Sequence, residues 1–150
     1  DLHYPLRRQR QMCIRDSSVG EKFFVNRALY KFSSPKRGDV IVFKTSASDS
    51  AALHIRRVIG LPGETVQVKD GQVYINGKVY EENGAYQDMT DGGLADSAVT
   101  LESGEYFVLG DNRNNSEDSR FSDIGNINKK YIVGKIWFTV SPKNKIGFIK

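Results

Sequence analysis

Short apolar runs separated by polar turns recur along the chain, and their period is two rather than 3.6. Phe23-Phe24-Val25 and Ala28-Leu29-Tyr30 are strand-like pieces on either side of Asn26-Arg27, and Ser33 to Asp39 carries the Pro and Gly of a turn. Val40-Ile41-Val42-Phe43 has the β-branched and aromatic make-up of a buried strand, followed by a small-residue loop from Thr45 to Ala52. Leu53 to Gly60 predicts a strand whose alternation puts His54, Arg56 and Val58 on one face and Ile55, Arg57 and Ile59 on the other. Beyond the turn Leu61-Pro62-Gly63-Glu64, two alternating runs flank Asp70-Gly71, the clearest hairpin signal in the chain. Asn76-Gly77 offers a second such turn into Lys78-Val79-Tyr80. Residues 81–98 are polar and glycine-containing and predict an insertion loop. Val99 to Glu102 and Glu105 to Leu109 resume strand character, Asn126 to Val133 predicts a short helix or turn, and Gly134 to Val140 a closing strand. The class is mainly β, with antiparallel sheets and long loops.

At 150 residues the chain is sized for one domain with a real core. Its unbroken apolar runs reach four residues, against the roughly 20 needed for a bilayer helix. The first seventeen residues differ from the rest, with four Arg, no Lys, one of the two His and the lone Cys13. Back-translated, Asp1 to Ser17 resembles a transposase-type sequencing adapter read in frame, so residues 1–17 are expected to be a non-native scar and 18–150 the folded domain. Setting that segment aside leaves 18 basic against 16 acidic residues, and the net charge falls from +4 to +2. A basic pI then no longer argues for a nucleic-acid partner, and none is expected. With one His and no Cys outside the scar, a metal site is not expected either. There is no Gly-x-x-x-x-Gly-Lys-Ser/Thr phosphate loop, and Asp70-Gly71 lacks the ligand spacing of a calcium loop, so no cofactor is expected.

The stretch that could carry chemistry is Gly110-Asp111-Asn112-Arg113-Asn114-Asn115-Ser116-Glu117-Asp118-Ser119-Arg120. It follows directly on the apolar run Tyr106 to Leu109. A buried strand ending in a polar loop is a usual place for a site, and this loop holds two Ser, two Arg and three acids. A solvated turn would explain the same composition.

Two earlier blocks decide between these readings: Arg37-Gly38-Asp39-Val40-Ile41-Val42-Phe43 and His54-Ile55-Arg56-Arg57-Val58-Ile59-Gly60-Leu61-Pro62-Gly63-Glu64. Taken in order with the Gly110 to Arg120 loop, they resemble three motif boxes of the bacterial type I signal peptidases, membrane-anchored serine proteases that remove signal peptides from exported proteins. The resemblance runs from about Gly20 to Lys150 and implies antiparallel sheets of the signal peptidase I type. It implies a Ser nucleophile paired with a Lys general base made neutral by burial. Ser116 would orient that base, and Asp118, Arg120 and Arg57 would form the ion-pair web behind it. Gly110, Asp111 and Asn112 would let the loop pass close to the base. Leu53, His54 and Ile55 would bind the signal peptide as an added strand, with shallow pockets for small residues. Arg37-Gly38-Asp39 reads as a turn scaffold. The implied partners are the signal peptides of secreted preproteins and, through an N-terminal anchor, membrane lipid; the implied location is the cell membrane, with the domain outside the cytoplasm.

The chain departs from the family pattern at both catalytic positions. The nucleophile lies eight residues before a Gly-Asp pair that Gly20-Glu21 matches, which falls on Met12 inside the scar; Ser17 and Ser18 are at the wrong spacing. The family's Lys aligns with Arg56, and Arg keeps its proton at any workable pH. His54, two residues away on the same face, is an alternative base or a lining of the substrate groove. The fragment as written is therefore expected to be inactive. A catalytically dead homologue that binds or assembles, and a self-cleaving Ser-Lys repressor-type domain, are the alternatives.

Overall fold

The computed structural model describes residues 11–15, 22–45, 51–139 and 147–148. The strands are β1 (Gln11–Arg15), β2 (Lys22–Asn26), β3 (Val40–Lys44), β4 (Leu53–Gly60), β5 (Thr65–Lys69), β6 (Gln72–Ile75), β7 (Lys78–Val79), β8 (Val99–Thr100), β9 (Glu105–Leu109), β10 (Ile127–Asn128), β11 (Ile132–Thr139) and β12 (Gly147–Phe148), with one helical turn, α1 (Leu29–Phe32). The larger sheet runs β1-β2-β11-β3-β4-β9-β10, with β12 added beside β11, and the smaller runs β7-β6-β5-β8. Every pairing is antiparallel. No helix among the described residues is long and apolar enough to cross a membrane.

Alternation in β3 and β4 divides the core as their sequences predict. Val40 and Val42 pair with Arg57 and Ile55, while Ile41 and Phe43 pair with Arg56 and His54. On one face, Ile41, Phe43, Val58, Tyr106, Val108 and Ile127 form a buried cluster, capped by Tyr30, Leu61, Ile124 and Ile132. On the other, Ile59, Phe107 and Leu109 meet Val66, Val68 and Val73 of the smaller sheet. Two strands of that smaller sheet are joined through Asp70 and Gly71, both at positive φ, and the next two through Asn76 and Gly77, also both positive. These are the hairpin turns the Asp-Gly and Asn-Gly pairs predict.

One sequence expectation is corrected. Ala28-Leu29-Tyr30 is not a strand: Leu29–Phe32 winds into a single helical turn. The cause is Asn26, whose side-chain oxygen accepts from the backbone N–H of Ala28 (3.0 Å) and Leu29 (3.1 Å), turning the chain off the end of β2. Asn126 to Val133 holds a short helical turn as expected, the 3-10 turn at Lys129–Tyr131, flanked by the short strand β10 and the start of β11. Most of the Thr45 to Ala52 loop lies outside the described residues.

Candidate active site

The three boxes converge where β4 and β9 run side by side. β9 pairs with β4 only from Arg57 to Gly60, and its last residue, Leu109, lies opposite Arg57. The chain then turns away as the Gly110–Arg120 loop. Leu53 to Arg56 thus extends past the end of its neighbour, and among the described residues no strand pairs with it on that side.

Gly110 is the contact point between the loop and β4. A Cβ there would overlap the Ser116 hydroxyl and lie 3.5 Å from Cδ of Arg56. The bare backbone at Gly110 is therefore what brings Ser116 and Arg56 to one spot. The Arg56 guanidinium donates through Nε to the Glu117 carbonyl (2.7 Å) and through Nη1 to the Ile55 carbonyl (2.6 Å). Beside Ser116 the loop forms an open depression of about 340 Å³, lined also by Asn114, Asn115, Glu117, Phe121 and Asp123.

Behind this spot lies a buried ion pair. Asp118 is fully buried and Arg120 nearly so; Nε of Arg120 reaches Oδ1 of Asp118 at 2.8 Å and Nη2 reaches Oδ2 at 2.9 Å. Asp118 also accepts from the backbone N–H of Gly110 (3.1 Å), fixing the residue that carries Ser116 and Arg56. Arg57 joins the web through Asp111, with Nε to Oδ1 and Nη2 to Oδ2 both at 2.8 Å, and donates to the Gly38 carbonyl at 2.9 Å. Asp111 thus holds a charge partner as well as shaping the loop. Asn112 is exposed, and its carbonyl closes a turn with the N–H of Asn115 at 3.1 Å.

Arg37 ties the first box to the second, with two bonds to the Glu64 carboxylate (2.9 and 2.5 Å) and one to the Ile59 carbonyl (2.6 Å). Burial pushes the Glu64 pKa up, but the Arg37 hydrogen bond and the Leu61 N–H more than offset it and leave the carboxyl below its ordinary value. Asp39 accepts from Tyr30 (2.8 Å) and Lys135 (2.6 Å), which fits the turn scaffold expected of Arg37-Gly38-Asp39. The His54 ring stacks on Phe43 with centroids 5.6 Å apart, and its pKa is lowered, first by burial and then by the Arg56 charge, with Glu117 opposing.

Sequence reasoning passed over Arg113 and the segment that holds it. Arg113 is buried to 1% exposure, makes a two-pronged pair with Glu82 (both 2.7 Å), donates to the Gly110 carbonyl (3.0 Å) and lies 4.2 Å from the Tyr86 ring centroid. Its carbonyl accepts from Arg120. Glu82 and Tyr86 belong to the expected insertion loop, and no local signal joins them to a residue about thirty positions on.

This is a mainly antiparallel β domain in which a Ser-bearing loop lies beside the basic residue of a sheet strand. The chain belongs to the signal peptidase family, peptidase S26, whose family model matches residues 6–141. It is 41% identical over 135 residues to a signal peptidase I from Leptolyngbya laminosa, covering 86% of this chain and 64% of that one. It is 35% identical over 134 residues to one from Bacillus licheniformis, covering 85% and 70%. The chain thus spans about two thirds of the length of these curated relatives. A crystal structure of a signal peptidase I from Enterococcus faecalis superposes with a TM-score of 0.52 at 32% identity, covering 69% of this chain and 97% of that one. The fold class expected from the sequence is the one found.

Proposed function

We propose that this domain belongs to a serine endopeptidase that removes N-terminal signal peptides from exported preproteins, working outside the cytoplasm at a membrane to which the native protein is anchored. The observation that carries the reading is that Ser116 and Cδ of Arg56 both lie beside Gly110, an arrangement in which a hydroxyl could orient a basic side chain on β4. The edge of Leu53–Ile55 that no strand among the described residues covers suits an extended peptide, which would gain main-chain hydrogen bonds there and be selected by its side chains.

On this reading the chain as written does not cleave. Arg56 stays charged and cannot take a proton from a nucleophile. Residues 1–17 stand where the native nucleophile box would lie, with Met12 at the serine position. The pairing of Gln11–Arg15 with β2 is compatible with a foreign origin, because an exposed sheet edge accepts almost any extended backbone. The family match extends into this segment from residue 6.

Incubating the purified chain with a preprotein is expected to leave it uncut; cleavage at the signal-peptide junction would refute the inactivity. Restoring a native N-terminus is expected to bring activity with Arg56→Lys. If activity is present without that change and is abolished by His54→Ala, His54 is the base. The bonding of Arg56 to two backbone carbonyls favours a second reading, a non-cleaving homologue that binds peptides. It stands if the restored protein with Arg56→Lys binds signal peptides and never cuts them.

A further inference from the structure

The segment from Glu82 to Leu94 wraps the outside of the Gly110–Arg120 loop at six points. Glu82 pairs with Arg113 and Tyr86 lies against its guanidinium. The N–H of Thr90 donates to the side-chain oxygen of Asn114 (3.0 Å), and the Asn114 amide donates to the Asp88 carbonyl (3.2 Å). Nη1 of Arg120 donates to the Asp91 carbonyl (3.0 Å), and the N–H of Leu94 to the Arg120 carbonyl (2.7 Å). The Glu82–Arg113 pair is the most enclosed of the side-chain ties, with 15% and 1% exposure, and charge-assisted two-pronged pairs are the stiffest of their kind.

Arg113 is held from one side only to hold something on the other. Its Nε fixes the Gly110 carbonyl, while Asp118 fixes the Gly110 N–H, so the peptide groups on both sides of Gly110 are gripped by charged groups. We propose that Glu82 and Tyr86 are positioning residues: by clamping Arg113 they set the height of Gly110, and so the seating of Ser116 against Arg56. The assignment rests on reading that loop as the supporting half of a peptidase site. The segment 82–94 is thereby a brace with a defined mechanical task.

The test reads the full chain by 15N NMR without any substrate, so its outcome is independent of whether the native protein cleaves. Two reporters sit inside the site: the Gly110 amide, bonded to Asp118, and the Arg56 Nε–H, bonded to the Glu117 carbonyl. In Glu82→Gln, Gly110 amide exchange is expected to quicken about tenfold, the worth of one weakened charged hydrogen bond, and the Arg56 Nε–H resonance to shift. The amides of Ile41 and Val66 in the core should not change. Tyr86→Phe keeps the ring face and should match the parent, Tyr86→Ala should reproduce the Glu82→Gln shifts, and the exposed neighbour change Glu81→Gln should do nothing. The proposal is overturned if Glu82→Gln disturbs only residues 81–92 and leaves both reporters in place. It is equally overturned if the core amides lose protection along with Gly110, since the pair would then serve general stability, or if Tyr86→Phe and Tyr86→Ala behave alike.

Discussion

Gly110 carries more of the site than any residue with a side chain. Gly110→Ala would drive a methyl group into the Ser116 hydroxyl, and overpacking of this kind costs about 1–3 kcal/mol. Chemical denaturation should show that loss, and an unchanged midpoint would mean the loop simply moves aside. Asp118→Asn removes the charge that the buried Arg120 guanidinium faces, and orphaning one partner of a buried pair costs about 3–5 kcal/mol. A smaller loss, below about 1 kcal/mol, would assign the support of Arg120 to the carbonyls of Asp91 and Arg113 instead. His54 makes a third case. Its pKa is held below the ordinary value of about 6.5 by burial and by Arg56, so as pH falls through that region the unfolded chain takes up the proton first. Stability should therefore decline from about pH 6.5 downward, and His54→Gln should flatten that part of the profile. A profile identical in the two proteins would show that His54 titrates alike folded and unfolded.

At the scale of elements, what the sequence made legible was whatever is written locally. The two hairpin turns declared themselves because Asp-Gly and Asn-Gly supply consecutive positive φ values, and both faces of β4 followed from simple alternation. The turn at Leu29–Phe32 was missed because the apolar triplet there reads as a strand, while the deciding group, the Asn26 side chain, sits two and three residues before the N–H groups it binds. Asn26→Ala removes both bonds and should cost about 0.5–2 kcal/mol, as loss of a comparable cap does. A denaturation midpoint equal to the parent's would put the cause of the turn elsewhere, in the packing of Tyr30 under the core. Within the site, Ser116, Asp118 and Arg120 were expected because a motif fixes their spacing. Arg113 was not, since its meaning lies in Glu82 and Tyr86, and pairing across about thirty residues leaves no trace in composition or period.

For the whole molecule, the larger sheet is closed at its β2 side by Gln11–Arg15, which among the described residues pairs with β2 alone. Deleting residues 1–17 should leave the other pairings intact and bare the hydrogen-bonding edge of β2, an invitation to association between copies. Sedimentation should then show dimers or larger species at concentrations where the full chain is a monomer. A trimmed protein that stays monomeric would show that this edge is protected by its own side chains. The sheet order itself was not legible, because β11, the last long strand, inserts between β2 and β3 from the first third of the chain. Such non-local pairing is set by burial of faces that no short window contains.

The ties that hold the three boxes together differ in their access to solvent, and that makes ionic strength a sorting variable. Asp118 and Arg120 are shut away from counter-ions, whereas Asp111, the partner of Arg57, is 55% exposed. The Debye length shrinks from about 10 Å at 0.1 M salt to about 3 Å at 1 M, and screening reaches open pairs while largely sparing enclosed ones. Added salt should therefore loosen the start of the loop at Asp111 while its far end at Asp118 holds. The seat of Ser116 would then hinge about its buried end, so an electrolyte could tune the site without entering it.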